Sequence, residues 1–164
     1  MSTRVYVSLF DANGKAIETK QAVQGRNAEV FAFNSGKVHK PIDKATGKIT
    51  GNRQYEPISL TKAVCPATPI IFKAITKSEK LAKVEVHYYR PNEDTGTEEE
   101  FFCVTMEDVQ VVSQALRVLD TAAQGVTHIP TVEDIEMTAE RITQAHKTPH
   151  MAHTDEYRKK DNVA

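Results

Sequence analysis

The side chains of this chain that could do chemistry are its histidines, its two cysteines and its lysine–carboxylate pairs. His146, His150 and His153 lie close together, and the step His150-Met151-Ala152-His153 could bring two imidazoles near one another with Asp155 as a third metal ligand. That segment follows Pro149 and holds little apolar material, so nothing in it would pre-organise an ion. No metal and no cofactor are expected. Cys65 and Cys103 stand far apart in patterned segments, in no CxxC or Cys/His zinc spacing. They read as buried free thiols. Lys–Glu alternation along the strands reads as cross-strand surface pairing. Neither G-x-S-x-G nor H-E-x-x-H occurs, and there is no P-loop or Rossmann glycine fingerprint. No catalytic residue is expected, and the chain does not read as an enzyme.

What remains is electrostatics. The chain has 21 basic and 22 acidic residues, a net charge of −1, which gives no basic footprint for nucleic acid. Two local excesses stand out. Residues 37–53, KVHKPIDKATGKITGNR, contain Lys40, Lys44, Lys48 and Arg53 against a single acid, Asp43, with only Val38, Ile42 and Ile49 as sizeable apolar groups. Such a stretch cannot anchor a core and reads as a long loop or projecting hairpin, a length that is uncommon in compact proteins unless functional or disordered. Glu98, Glu99 and Glu100 form the acidic counterpart. A solvated face is the plain reading of such a run, and the basic loop is the candidate to meet it.

The elements that must position these groups are mostly strands. The clearest stretch is 51–106, which reads as strand, short capped helix, strand, acidic turn, strand. Thr68 is placed to cap the helix and Pro69 to occupy its first position. Ile71, Phe72 and Ile75 form its inward stripe against the sheet. On either side the period drops to 2: Ile58 and Leu60 before the helix, Ala82, Val84, Val86 and Tyr88 after it. Upstream, Val5, Val7 and Leu9 share a strand face, Asp11 to Gly14 supplies turn chemistry, residues 15–25 are an edge strand or loop, and 27–38 hold a second apolar run. Downstream, Phe102, Val104 and Met106 form one face. Residues 114–125 read as either a short helix or a loop. Residues 131–146 alternate with Ile135, Met137 and Ala139 inward, then slip by one at Arg141 and Ile142, as a β-bulge would cause. Residues 1–147 are expected to form a single domain, and 148–164 a loose polar tail. No apolar run reaches the ~18 residues of a membrane span, and the N-terminus shows no signal peptide.

The stretch GNRQYEPISLTKAVCPATPIIFKAITKSEKLAKVEVHYYRP resembles the central region of the haemolysin-coregulated protein (Hcp) family, the tube proteins of type VI secretion systems. The shared pattern runs through Gly51, Arg53, Gln54, Pro57, Lys62, Thr68-Pro69, Ala74 and Tyr89-Arg90. EEEFFCVTMEDVQVVS resembles the family's acidic-aromatic strand and the strand after it, and IEMTAERIT its C-terminal strand, including the step from Ala139 to Ile142. The resemblance implies a mainly β fold, an antiparallel β-barrel or sandwich with one short flanking helix, related to phage tail-tube proteins. It implies a homohexameric ring that stacks into a tube, with sheath, baseplate or spike, and effector proteins as partners. It also implies assembly in the bacterial cytoplasm followed by secretion without a cleaved signal, and neither nucleic-acid binding nor membrane insertion. Under it, the basic loop is the candidate ring-stacking element. The alternative on the residues alone is a monomeric β-barrel that binds a small ligand.

Overall fold

A computed structural model describes residues 3–19, 28–118 and 131–157. Among these described residues nine strands and one helix follow in order: β1 (Arg4–Phe10), β2 (Ala28–Asn34), β3 (Val38–His39), β4 (Gln54–Tyr55), β5 (Ile58–Ala63), α1 (Thr68–Thr76), β6 (Leu81–Pro91), β7 (Glu98–Arg117), β8 (Val132–His146) and β9 (Met151–Glu156). Six of the strands run antiparallel in the order β5-β2-β1-β6-β7-β8, and β8 returns to pair with β5 from Ile58↔Met137 to Ala63↔Val132. The sheet is therefore a closed barrel. Closure follows from the alternating faces: Val7, Leu60, Val84, Val104, Met106 and Ile135 all point inward and are buried, filling the interior with side chains.

Three elements depart from the expectation. Within the segment expected as a loose tail, Met151–Glu156 instead pairs with β8 along Arg141↔Glu156 to His146↔Met151, taking up the edge of β8 beyond the point where β5 ends, and the residues beyond 157 lie outside the described ones. Its side chains are polar because neither face covers core, so no apolar period marks it. Residues 114–117 are not helical either; they continue β7 opposite Val132 to Ile135, while most of the segment beyond lies outside the described residues. The slip at Ala139 to Ile142 is present, but no register shift accompanies it. Instead the core-facing positions step by three in all three neighbouring strands at the same level, Leu81 to Val84, Met106 to Val109 and Ala139 to the partly buried Ile142, with Asp108 taking a φ of 51°.

The helix lies against β7 through a narrower face than expected. Ile71 and Ala74 are buried and Ile75 packs at the core's margin, but Phe72 is 61% exposed. One residue on from Ile71 is about 100° round the helix, and small Ala67 and Ala74 draw the helix so close to the sheet that its flank does not reach it. Thr68 is not the cap. Ala67 holds that place, and no side chain caps the helix. The Thr68 hydroxyl instead donates to Glu133 Oε1 at 2.8 Å. Glu133 is fully buried and ion-paired with the fully buried Lys62, while Gln114 Nε2 donates to its other oxygen at 2.8 Å. Lys62 with Glu133 therefore fastens β5, β7, β8 and the helix together from inside.

Candidate assembly surfaces

Residues 37–55 form a projecting hairpin. Its base is the β3–β4 pair, Val38↔Tyr55 and His39↔Gln54, and an isolated bridge joins Ile42 to Ile49 near the tip. The tip is built by Asp43, whose carboxylate accepts from the Ala45 N–H and the Thr46 hydroxyl, each at 2.9 Å. Those donors hold the Asp43 carboxyl below its ordinary range. Gly47 closes the turn at a φ of 69°, where a side chain would be strained. Lys40, Lys44 and Lys48 are exposed and make no ion pair among the described residues. Ile42 and Ile49 are 60% and 62% exposed on the same hairpin.

Arg53 behaves differently from the three lysines. Its Nε donates to Asp155 Oδ2 at 2.6 Å and its terminal nitrogen to the Glu156 carbonyl at 3.0 Å. The Tyr55 hydroxyl donates to the same Asp155 oxygen, and the Tyr55 and Tyr157 rings pack at 4.6 Å. Arg53, then Tyr55, holds the Asp155 carboxyl below the ordinary carboxylate range. The hairpin is thus pinned at its root to β9, the strand that carries no hydrophobic signature.

The acidic run is not a free counterpart. Glu98 pairs with Arg4 at 3.4 Å, Glu99 accepts from Asn92 at 3.0 Å and pairs with Arg90 at 3.5 Å, and Glu100 Oε1 lies 2.8 Å from His87 Nδ1. Topology also bears on it. Strand directions alternate round the barrel, so the end of β2, the start of β5 and the start of β7 share one rim. The hairpin and Glu98 to Glu100 belong to that rim together; the structure brings them to one end of the molecule without a contact between them.

Three β-bulges supply outward apolar groups that sequence alternation hides. Phe31 is the extra residue of β2 opposite β5, Val112 that of β7 opposite β8, and Phe101 that of β7 opposite β6. Phe31 and Val112 are 48% and 49% exposed. Together with Phe72 they leave large apolar side chains on the outer wall of a barrel whose interior is already full. An open cleft of about 640 Å³ at the rim is lined by Thr3, Arg90, Asn92, Asp94, Glu99 and Phe101, a polar set. On the outer wall itself, His87 of β6 sits opposite Cys103 of β7. The Cys103 sulfur, then Glu100, keeps the imidazole protonated up to about pH 9 against the opposing effect of burial.

Comparison with known proteins agrees with this architecture. A family model described as "Type VI secretion system effector, Hcp" matches residues 6–146. The "Major exported protein" of Pseudomonas aeruginosa is 30% identical over 141 residues, spanning 86% of this chain and 77% of that protein. Among solved structures, a variant Hcp protein from the E. coli EAEC 042 pathovar superposes with a TM-score of 0.82 at 30% identity, covering 96% of this chain and 100% of that one. A secreted Hcp protein of Pseudomonas aeruginosa gives 0.71 at 22% identity, covering 96% of this chain and 100% of its own, a likeness of fold.

Proposed function

The chain belongs to the Hcp family of type VI secretion systems, and from that premise we propose that it is the structural subunit of the inner tube of a contractile secretion machine. Subunits close into homohexameric rings, rings stack, sheath contraction expels the tube, and the ring lumen carries effector proteins. The subunit assembles in the cytoplasm and then leaves the cell, the export being supported by the name of its exported relative. It performs no catalysis of its own in this role.

The observation that carries the proposal is the hairpin: a rigidly rooted projection whose tip exposes Ile42 and Ile49 to solvent. A lone subunit gains nothing by holding two isoleucines out on a pinned arm, whereas an arm that seats in the next ring buries them at roughly 25 cal/mol per Å² of apolar surface removed from water. Rings in one tube repeat head to tail, so the arm must meet the far rim of its neighbour. Glu98, Glu99 and Glu100 lie on the arm's own rim and are paired within the chain, so they do not fit the role of counterpart. Lys40, Lys44 and Lys48 then contribute orientation, and the isoleucines contribute the contact. The small-ligand reading loses ground for a separate reason, since buried side chains already fill the barrel.

The test is electron microscopy of purified protein beside Ile42→Ser/Ile49→Ser and Lys40→Gln/Lys44→Gln/Lys48→Gln. Rings are expected for all three, with stacks lost in the isoleucine variant and shortened by salt in the wild type, because exposed charges are screened beyond ~8–10 Å. A wild type that remains monomeric at high concentration overturns the proposal.

A further inference from the structure

The outer wall of the barrel brings a nitrogen, a sulfur and an oxygen donor to one point. His87 of β6 faces Cys103 of β7 directly across the ladder, with Nδ1 3.6 Å from Sγ and 2.8 Å from Glu100 Oε1. All three ligand atoms lie within 4.8 Å of one another. Glu100 reaches this face only through the bulge: Phe101 is the extra residue between the pairs Tyr88↔Phe102 and Tyr89↔Glu100, which turns Glu100 from the inward to the outward phase. Bulges re-aim side chains in this way.

From this arrangement we propose a zinc-class metal site made by His87 Nδ1, Cys103 Sγ and Glu100 Oε1, with a fourth position left open. The donor set is that of a borderline-soft divalent ion: imidazole, thiolate and carboxylate suit Zn²⁺ and its cobalt substitute, whereas Mg²⁺ and Ca²⁺ take oxygen. The spacing fits. Zinc–sulfur and zinc–nitrogen bonds of about 2.3 and 2.05 Å at a tetrahedral angle put the two donors about 3.6 Å apart, the separation found between Sγ and Nδ1. The nitrogen–oxygen pair must open to about 3.3 Å on the same geometry, a side-chain adjustment for Glu100, whose side chain is 25% exposed.

The surroundings are those of a supported site. The far ring nitrogen, Nε2, is 3.2 Å from Glu85 Oε2 and 3.4 Å from the Ser8 hydroxyl. A carboxylate on the distal nitrogen fixes the ring and raises its basicity toward a metal. Thr105 Oγ1 lies 3.7 Å from the Cys103 sulfur. Two cations border the cluster, Lys83 on Glu85 at 2.8 Å and Lys147 on Glu100 at 4.0 Å. Metal ligation takes the imidazole and the thiol in their deprotonated forms, so binding at such a site depends on pH. Cys65, the other cysteine, is buried beside Lys62 and takes no part.

The experiment titrates the purified full chain with cobalt(II) chloride alone at mildly alkaline pH, then displaces it with zinc. One cobalt per chain is expected, with the near-ultraviolet charge-transfer band of a cobalt–thiolate bond. That band is absent in Cys103→Ser, intact in Cys65→Ser and in His150→Ala/His153→Ala, and reached only at about 10- to 100-fold more cobalt in Glu85→Gln. Zinc raises the Tm of the wild type and leaves that of Cys103→Ser unchanged. A wild type with no thiolate band, or a band that survives in Cys103→Ser, overturns the assignment.

Discussion

At the scale of single residues, the buried ion pair and the exposed phenylalanine reverse what their types suggest. Lys62 and Glu133 are fully buried with every oxygen of the carboxylate engaged by Lys62, Thr68 or Gln114. Removing one member leaves the other charged and unmatched in a dry interior. Glu133→Gln or Lys62→Met is therefore expected to cost about 3–5 kcal/mol in denaturant unfolding, with part of the loss recovered in Lys62→Met/Glu133→Leu. Phe72 runs the other way. Exposed on the helix flank, it contributes little to the fold, and Phe72→Ala is expected to change stability by no more than about 0.5 kcal/mol. The same substitution is expected to weaken self-association in sizing experiments, because large apolar groups held in solvent mark contact surfaces. A destabilisation of several kcal/mol would place Phe72 in the core after all.

At the scale of elements, the legible parts are those whose side chains face the core. Val5, Val7 and Leu9, or Ile135, Met137 and Ala139, announce β1 and β8 because one wall of each is apolar and the other polar. The hairpin at 37–53 is legible by its poverty of apolar residues. Strand β9 is not, since MAHTDE covers no core and owes its place to the backbone ladder of β8 and to Arg53. The face of Glu100 is equally hidden, because one extra residue at Phe101 inverts the phase and alternation carries no mark of it. Ile71, Phe72 and Ile75 share a stripe on paper, but a helix resting on alanines shows the sheet only its narrowest side. The docking of hairpin to β9 gives a pH prediction. Asp155 has its pKa depressed in the folded chain, so its pairing with Arg53 stabilises at neutral pH, is complete above the unfolded carboxylate value, and fades as pH falls through the folded one. Amide protection in the strand pairs 38–39 and 54–55, taken relative to the intrinsic exchange rate at each pH, is expected to fall on acidification in the wild type, and to be low at every pH in Asp155→Asn. An unchanged exchange rate in that variant would mean that the ring contact of Tyr55 with Tyr157 suffices.

At the scale of the whole molecule, closure changes where association must come from. Because β5 pairs with β8, the barrel offers no open edge between its first and last strands, and the remaining edge strand, β9, is short and polar. In the proposed ring, side chains on the outer wall and on the hairpin, rather than strand addition across barrel edges, are then expected to hold neighbours together. A substitution set confined to Phe31, Phe72 and Val112 is expected to shift the sizing profile from ring to monomer while leaving circular dichroism unchanged; a ring that persists would return the contact to β9. Closure has a mechanical consequence as well. The β7–β8 ladder runs from Phe102↔His146 to Arg117↔Val132 with a single bulge at Val112, and β5 and β9 flank successive stretches of it. A pull along these strands loads the hydrogen bonds in shear, so they must rupture together instead of unzipping one after another from a frayed end. In the proposed tube such a subunit would transmit thrust without yielding, and it would be dismantled only by a force that breaks its longest seam at once.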